Sequence, residues 1–443
     1  MRVRIGSKAA ATAVAALAVA GLIGAPPPLA RAATAPARGS FYTYTGSTPL
    51  AQVAPGTVLK TRILSYHIAG IALPVQVVQL LYRSAGALGQ PTANVTSVLE
   101  PLVRPGSPRA VSYQSFYDSL NPADEPSVQI AGGVTLGGLA VDAESVVIAP
   151  LLLQGYTVIV PDTEGQTADF ASGPEYGTST LNSIRAATNS PLTGLGKATP
   201  IGMFGYSGGA IATDWAAQLA PAYAPDVNRQ LVGAAEGGVL VDPAHNLRYV
   251  NGSSIWAGII PMSIIGIARG FHIDITPYLS SYGRQLYDSL QDASIVNVLG
   301  QYPGLTFARL VKPRYANPAS IPVLVKVENE LNTGSLGSAT VPMFIGQGAN
   351  GTLEGTPGNK PGIGPGDGVM VAGDVRTLAR DFCASGTAVD YTQYDALSHI
   401  TTFPAWSPAA LAWLNGLFAG SQAPNDCSQI PPGNSLAPVK PAG

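Results

Sequence analysis

Charge is scarce in this 443-residue chain. Asp, Glu, Lys and Arg make up 11% of it, and 26 acids against 24 bases leave a formal net charge of −2. No basic run or stripe is present to meet a phosphate backbone, which argues against a nucleic-acid partner. Histidine is scarcer still, with four residues, and the two cysteines, Cys383 and Cys427, stand far apart. No paired His, Asp or Cys spacing of the kind a metal requires stands out, so neither metal nor cofactor is expected. In place of charge the chain has 46% hydrophobic residues, 51 glycines and 38 prolines. That is ample for a large core and too apolar for disorder, with a surface built from Ser, Thr, Asn, Gln and Gly.

Long apolar runs are also few. The first, residues 9–23, is broken only by Thr12, follows Arg2, Arg4 and Lys8, and leads through Pro26-Pro27-Pro28 to the small-residue site Ala30-Arg31-Ala32. It is shorter than the roughly 20 residues of a spanning helix and reads as a Sec-type export signal cleaved near Ala32 or Ala33. No twin-arginine pair precedes cleavage, and no cysteine follows to carry a lipid. Export places the mature chain in the extracellular space or cell envelope, where Cys383 and Cys427 are expected to pair. Such a loop closure is worth about 4 kcal/mol in the chain-entropy model. A second apolar stretch, residues 255–268, is interrupted by Gly258, Pro261 and Gly266 and is too short to span a membrane.

Along the chain, residues 57–64, 74–83 and 93–103 are rich in β-branched side chains with Gly and Pro between them. They predict an antiparallel start to a sheet, with 110–116 as the next strand. From about Ala140 helices over 142–154, 178–189 and 210–219 alternate with strands over 155–162, 200–204 and 230–235. That alternation implies parallel strands with crossover helices. It lapses over 240–319, read as a helical cap, then resumes with strands over 321–327 and 341–346, the former alternatively part of the cap. Asp367 opens a helix over 368–385, followed by a strand over 389–394 and a helix over 407–419. The expected organisation is an export signal (1–32), a flexible leader (33–56), a core in two parts (57–239 and 320–424), a cap or lid insertion (240–319) and a Pro-rich tail (425–443) pinned through Cys427.

The chemistry centres on Gly205-Tyr206-Ser207-Gly208-Gly209, set between the 200–204 strand and the helix that follows. Strand, Gly-x-Ser-x-Gly turn and helix are the context of a nucleophile elbow, where the serine sits on a strained turn and its neighbours must be small. A serine nucleophile needs a base. His67 lies upstream, His245 and His272 fall inside the expected cap, and His399 follows the last strand. Chain order Ser, acid, His selects His399. Between them Asp367 is the favoured acid, with Asp395, four residues before His399, as the alternative. The N–H of Gly208 is one expected oxyanion donor. No His-Gly-Gly-Gly loop exists to supply the second, and the turn Pro161-Asp162-Thr163-Glu164-Gly165 is the best-placed substitute.

These pieces together resemble a known family, the secretory lipases typified by lipase A of Candida antarctica, with many bacterial members. The resemblance rests on residues 155–165, on Phe204-Gly205-Tyr206-Ser207-Gly208-Gly209-Ala210, on Gly233-Ala234-Ala235-Glu236-Gly237-Gly238, on 366–371 and on His399-Ile400-Thr401. It spans roughly residues 58–420. It implies an α/β-hydrolase fold, with a mixed, mostly parallel sheet flanked by helices and a cap inserted after the elbow region. It also implies a triad of Ser207, Asp367 and His399, and backbone N–H groups of Asp162 and Gly208 as oxyanion donors. Two departures stand out: Glu125 precedes Pro126-Ser127 where members often carry a cysteine, and a long Gly/Pro loop precedes Asp367.

The expected function is a secreted serine carboxylic ester hydrolase, a lipase or lipid-active esterase working through an acyl-enzyme. Its partners are an ester or acylglycerol substrate and a lipid surface met by the cap. An acyltransferase of the same fold and a non-catalytic envelope protein are the alternatives. Asn94, Asn251 and Asn350 begin glycosylation sequons that matter only in a pathway that uses them.

Overall fold

The computed structural model describes residues 39–103 and 106–442. The expected export signal and the first part of the leader lie outside these residues. Nine strands form one sheet: β1 (Val58–Ile68), β2 (Ile71–Ala85), β3 (Pro91–Leu99), β4 (Ala110–Gln114), β5 (Thr157–Pro161), β6 (Ile201–Tyr206), β7 (Leu231–Gly237), β8 (Met343–Gly348) and β9 (Val389–Tyr394). Their order is β1-β2-β3-β5-β4-β6-β7-β8-β9. The pairs from β1 to β5 are antiparallel, and every pair from β5 through β4 to β9 is parallel. The sheet is parallel with an antiparallel edge, as the shift from hairpin to alternating periodicity predicts, and it is the α/β-hydrolase sheet that the family resemblance implies.

Helices of eight or more residues are α1 (Ser145–Leu153), α2 (Gly173–Asn189), α3 (Gly208–Tyr223), α4 (Pro243–Val250), α5 (Ile259–Gly270), α6 (Ser281–Ser289), α7 (Pro322–Glu330), α8 (Ala372–Ala384) and α9 (His399–Phe418). Strand alternation divides the core between the two faces of the sheet. Val78, Met203, Met343 and Ile345 pack with Leu181 of α2, Ala216 of α3 and Phe382 of α8. Val77, Phe204 and Phe344 pack on the other face with Ile148 of α1 and with Trp406 and Leu414 of α9. A separate apolar cluster joins α5 and α6 through Ile260, Met262, Ile265 and Leu286, with Trp256 beside them. Among the described residues no helix is long and apolar enough to cross a membrane.

The structure corrects the sequence reading of the elements at four places. The strand expected over 321–327 is helix α7. Pro322 suits a first helical turn, and β7 pairs directly with β8, which leaves no place for a strand between them. The helical insertion therefore continues past 319 almost to β8. Helix α8 starts at Ala372, not 368, because Asp367 closes a tight turn, bridged from Gly366 to Val371, before it. Helix α9 starts at His399, not 407, on a capping box made by Ser398 and Thr401. The leader is ordered from residue 39: Tyr42 is buried against Leu81 and Val95, and Lys60 Nζ donates to the carbonyls of Ser40 (2.8 Å) and Thr43 (2.6 Å). The tail lies against the core, with Ile430 and Leu436 buried and Asn434 Nδ2 2.8 Å from Asp374 Oδ1.

Cys383 and Cys427 form the expected disulfide, closing a loop of 44 residues. Its replacement by Cys383→Ser/Cys427→Ser is expected to lower unfolding free energy by roughly 2–4 kcal/mol. A urea titration checks this; an unchanged midpoint would mean that the packed tail alone holds the loop.

Candidate active site

Ser207 stands between β6 and α3 with φ of 55°, in the left-handed region that side chains rarely adopt. The flanking glycines are steric requirements. A Cβ on Gly205 would fall 2.1 Å from the Gly209 carbonyl oxygen, and one on Gly209 2.0 Å from that of Gln114. The N–H of Ser207 donates to Gly237 O at 2.8 Å, fixing the turn to the neighbouring strand β7. Strain of this kind persists only where the surroundings over-determine it, and here two strands and a helix do.

His399 is the first residue of α9, and Asp367 sits in the turn that precedes α8. Both follow strands of the parallel sheet at the same end as Ser207. His399 Nε2 lies 2.7 Å from Ser207 Oγ, and Nδ1 lies 2.7 Å from Asp367 Oδ2. Gln347 Nε2 donates to Asp367 Oδ2 at 3.0 Å, while the N–H groups of Val369 (3.1 Å) and Met370 (2.7 Å) donate to Oδ1. The carboxylate is thus locked from both sides. A further bond, from His399 N to Asp367 O at 2.7 Å, joins the two backbones. The alternative acid, Asp395, is exposed and bound by Gln393 Nε2 at 2.6 Å, away from the imidazole.

Sequence reading missed two carboxylates near the imidazole. Glu354, in the long Gly/Pro loop, accepts from Ile400 N at 2.8 Å and from Trp256 Nε1 at 2.6 Å. It ties the start of α9 to the helical insertion, with the Trp256 ring edge-on to His399 at 5.3 Å. Asp118 follows β4, has φ of 34°, and lies so close to the elbow that a Cβ on Gly208 would meet its Oδ1 at 1.7 Å. A positive φ on a non-glycine residue just past a strand end was its only signal, and φ is not legible in sequence. Burial lowers the pKa of His399, but the charges of Asp367, Glu354 and Asp118 outweigh it and hold the imidazole above its usual value. Burial pushes Asp118 up to about 7, with the His399 charge pulling the other way.

Asp162 does not face the elbow. Its N–H donates to Val95 O at 3.0 Å, extending the β3–β5 ladder. Its carboxylate accepts from Ser127 N (2.8 Å) and Ser127 Oγ (2.6 Å), and its carbonyl accepts from the buried Asn94 side chain at 2.6 Å. An amide consumed by a strand pair has no proton left for a ligand, so the oxyanion role expected of Asp162 is overturned. The bond from Asn94 Nδ2 to Asp162 O, and its burial, leave the Asn94 sequon inaccessible in the folded chain. Gly208 is where the sequence placed it. Among the described residues, the N–H groups of Gly208 and Asp118 have no protein acceptor.

Above Ser207 lies a cavity of about 130 Å³ lined almost wholly by carbon. Ile259, Ile260, Ile264 and Ile267 of α5 form one wall, with Val323, Leu324 and Val327 of α7 also lining it. The stretch 255–268, read as part of a cap, thus lines the cavity that Ser207 opens into.

A family model described as secretory lipase matches residues 131–350. The chain is 32% identical over 374 residues to a probable inactive lipase of Mycobacterium tuberculosis, covering 83% of this chain and 79% of that one. The chain belongs to the secretory lipase family. Within that family it is 29% identical to lipase 4 of Candida albicans, over 90% of this chain and 84% of that one. Among solved structures it is similar to Candida antarctica lipase A in its closed state, with a TM-score of 0.76 and 25% identity over 90% of this chain and 89% of that one. The fold described above is the one it shares with that lipase.

Proposed function

We propose that the protein is an active serine carboxylic ester hydrolase whose substrates are lipid esters. The observation that carries this reading is the unbroken relay Ser207–His399–Asp367, with both links at 2.7 Å, beneath an apolar cavity. A relative named as inactive does not weaken it, because this chain keeps all three side chains in bonding register.

The Asp367 carboxylate can only accept, so Nδ1 of His399 carries the proton and Nε2 is left to accept from Ser207. Ser207 Oγ attacks the ester carbonyl carbon as its proton passes to Nε2. The N–H groups of Gly208 and Asp118 receive the developing oxyanion. Collapse breaks the bond to the alcohol, which leaves with the Nε2 proton, and an acyl-enzyme remains. Water then attacks the acyl carbon, gives its proton to Nε2, and returns Ser207 with release of the acid. The carbon-lined cavity favours an apolar acyl limb. Export through residues 1–32, outside the described residues, fits a disulfide-bonded chain. A chain-length series of esters tests the lipid preference: kcat/KM falling steadily from four-carbon to long acyl groups would remove it.

The base works only when His399 is neutral. Since nearby carboxylates raise its pKa, the acid limb of the kcat/KM profile is expected above the ordinary histidine value of about 6.5. Glu354→Gln removes one of those charges and should shift the limb to lower pH. A profile that stays fixed would show that Glu354 does not act on the imidazole.

A further inference from the structure

Two buried acids line the cavity: Asp118, beside the elbow, and Glu328, away from it. Glu328, on α7, is 6% exposed and lines the space above Ser207 among aliphatic neighbours. Among the described residues its carboxyl makes no hydrogen bond. Asp118 has the His399 charge beside it, and Asp242, close to Glu328, accepts from Ala244 N (2.9 Å) and His245 N (3.2 Å). A buried carboxyl without a partner is costly, and an aliphatic side chain in its place would fill an apolar cavity better. Its retention points to a polar group delivered by the ligand.

We propose that Glu328 is a specificity-determining anchor that selects esters whose apolar limb carries a hydroxyl group part-way along the chain. Burial, with the Asp242 charge as a smaller cause, pushes its carboxyl up to about 8, so at neutral pH it is largely an uncharged acid. In that form it both donates to and accepts from a hydroxyl, without bringing a buried charge to a lipid chain. Its neighbours Val327 and Leu331 pack against Ile211, Ala212 and Trp215 of α3, the helix that begins just past Ser207. At 1.5 Å per residue those contacts lie about 6–12 Å along α3 from the nucleophile. The anchor therefore reads the chain at a distance from the ester, not at the reacting carbonyl.

This inference rests on the proposed ester chemistry, so its test is made to read binding without turnover. Methyl dodecanoate and its monohydroxylated isomers are titrated into Ser207→Ala protein by calorimetry. At least one isomer is expected to bind roughly ten-fold tighter than the plain ester. Adding Glu328→Leu should abolish that preference and tighten binding of the plain ester. Adding Glu328→Gln, which keeps a donor and an acceptor, should preserve it. Isomers that all bind no better than the plain ester would overturn the proposal, with Ser207→Ala alone, even if the leucine variant fails to fold. So would a preference that survives Glu328→Leu. Hydroxyl preference in a protein that hydrolyses no ester would sink the proposed reaction and leave the anchor standing. Hydrolysis without the preference would do the reverse.

Discussion

Ser207→Ala is expected to lower kcat for ester hydrolysis by about 10⁶, the scale seen when a triad nucleophile is removed. The loss is that large because Oγ forms the bond that every later step depends on. The oxyanion donors, Gly208 and Asp118, remain and can supply only their own share. His399→Ala should cost about as much, and the double variant no more than either single one, since the pair acts as a unit. Circular dichroism of the alanine variant should match wild type, because the elbow is held by Gly205, Gly209 and the Ser207 N–H bond to Gly237, not by the hydroxyl. Retained activity in Ser207→Ala would remove the mechanism.

The second large effect separates the two candidate acids. Asp367→Asn is expected to cut kcat by about 10⁴ with little change in KM. The new amide would compete with Nδ1–H for the same space, and the imidazole would lose the acceptor that fixes its tautomer. It would also meet Gln347 Nε2, now 3.0 Å from Oδ2, with one acceptor fewer to offer. Asp395→Asn should leave kcat within two-fold, since Asp395 is exposed and bound to Gln393. Comparing the two variants on one ester settles the acid; equal losses would refute the assignment.

Much of the site was legible because its signals are local. Gly205 is demanded by a contact within the turn, with Gly209 O, so the pentapeptide announces itself, although the requirement at Gly209 comes from Gln114 on β4. His399 was found by elimination among four histidines, and the disulfide by having only two cysteines in a chain expected to be exported. The helical insertion was legible as a lapse in strand–helix alternation. Its end was not, because Pro322–Glu330 carries Val323, Leu324, Val325 and Val327. The three β-branched valines favour a strand in isolation, and only the direct β7–β8 pairing rules one out.

Sequence alone singled out Ser207 and His399, the order of the elements that carry them and the cross-link. Each follows from a local motif, from periodicity along the chain or from the scarcity of a residue type. Tertiary structure decided which amide faces the elbow and which acids surround the imidazole. Asp162 and Asp118 both follow strands, and their N–H groups are chemically identical. The sheet consumes the first in a bond to Val95 and leaves the second without an acceptor among the described residues. Whether a polar group is spent or available depends on what lies across from it, and that is a property of the fold.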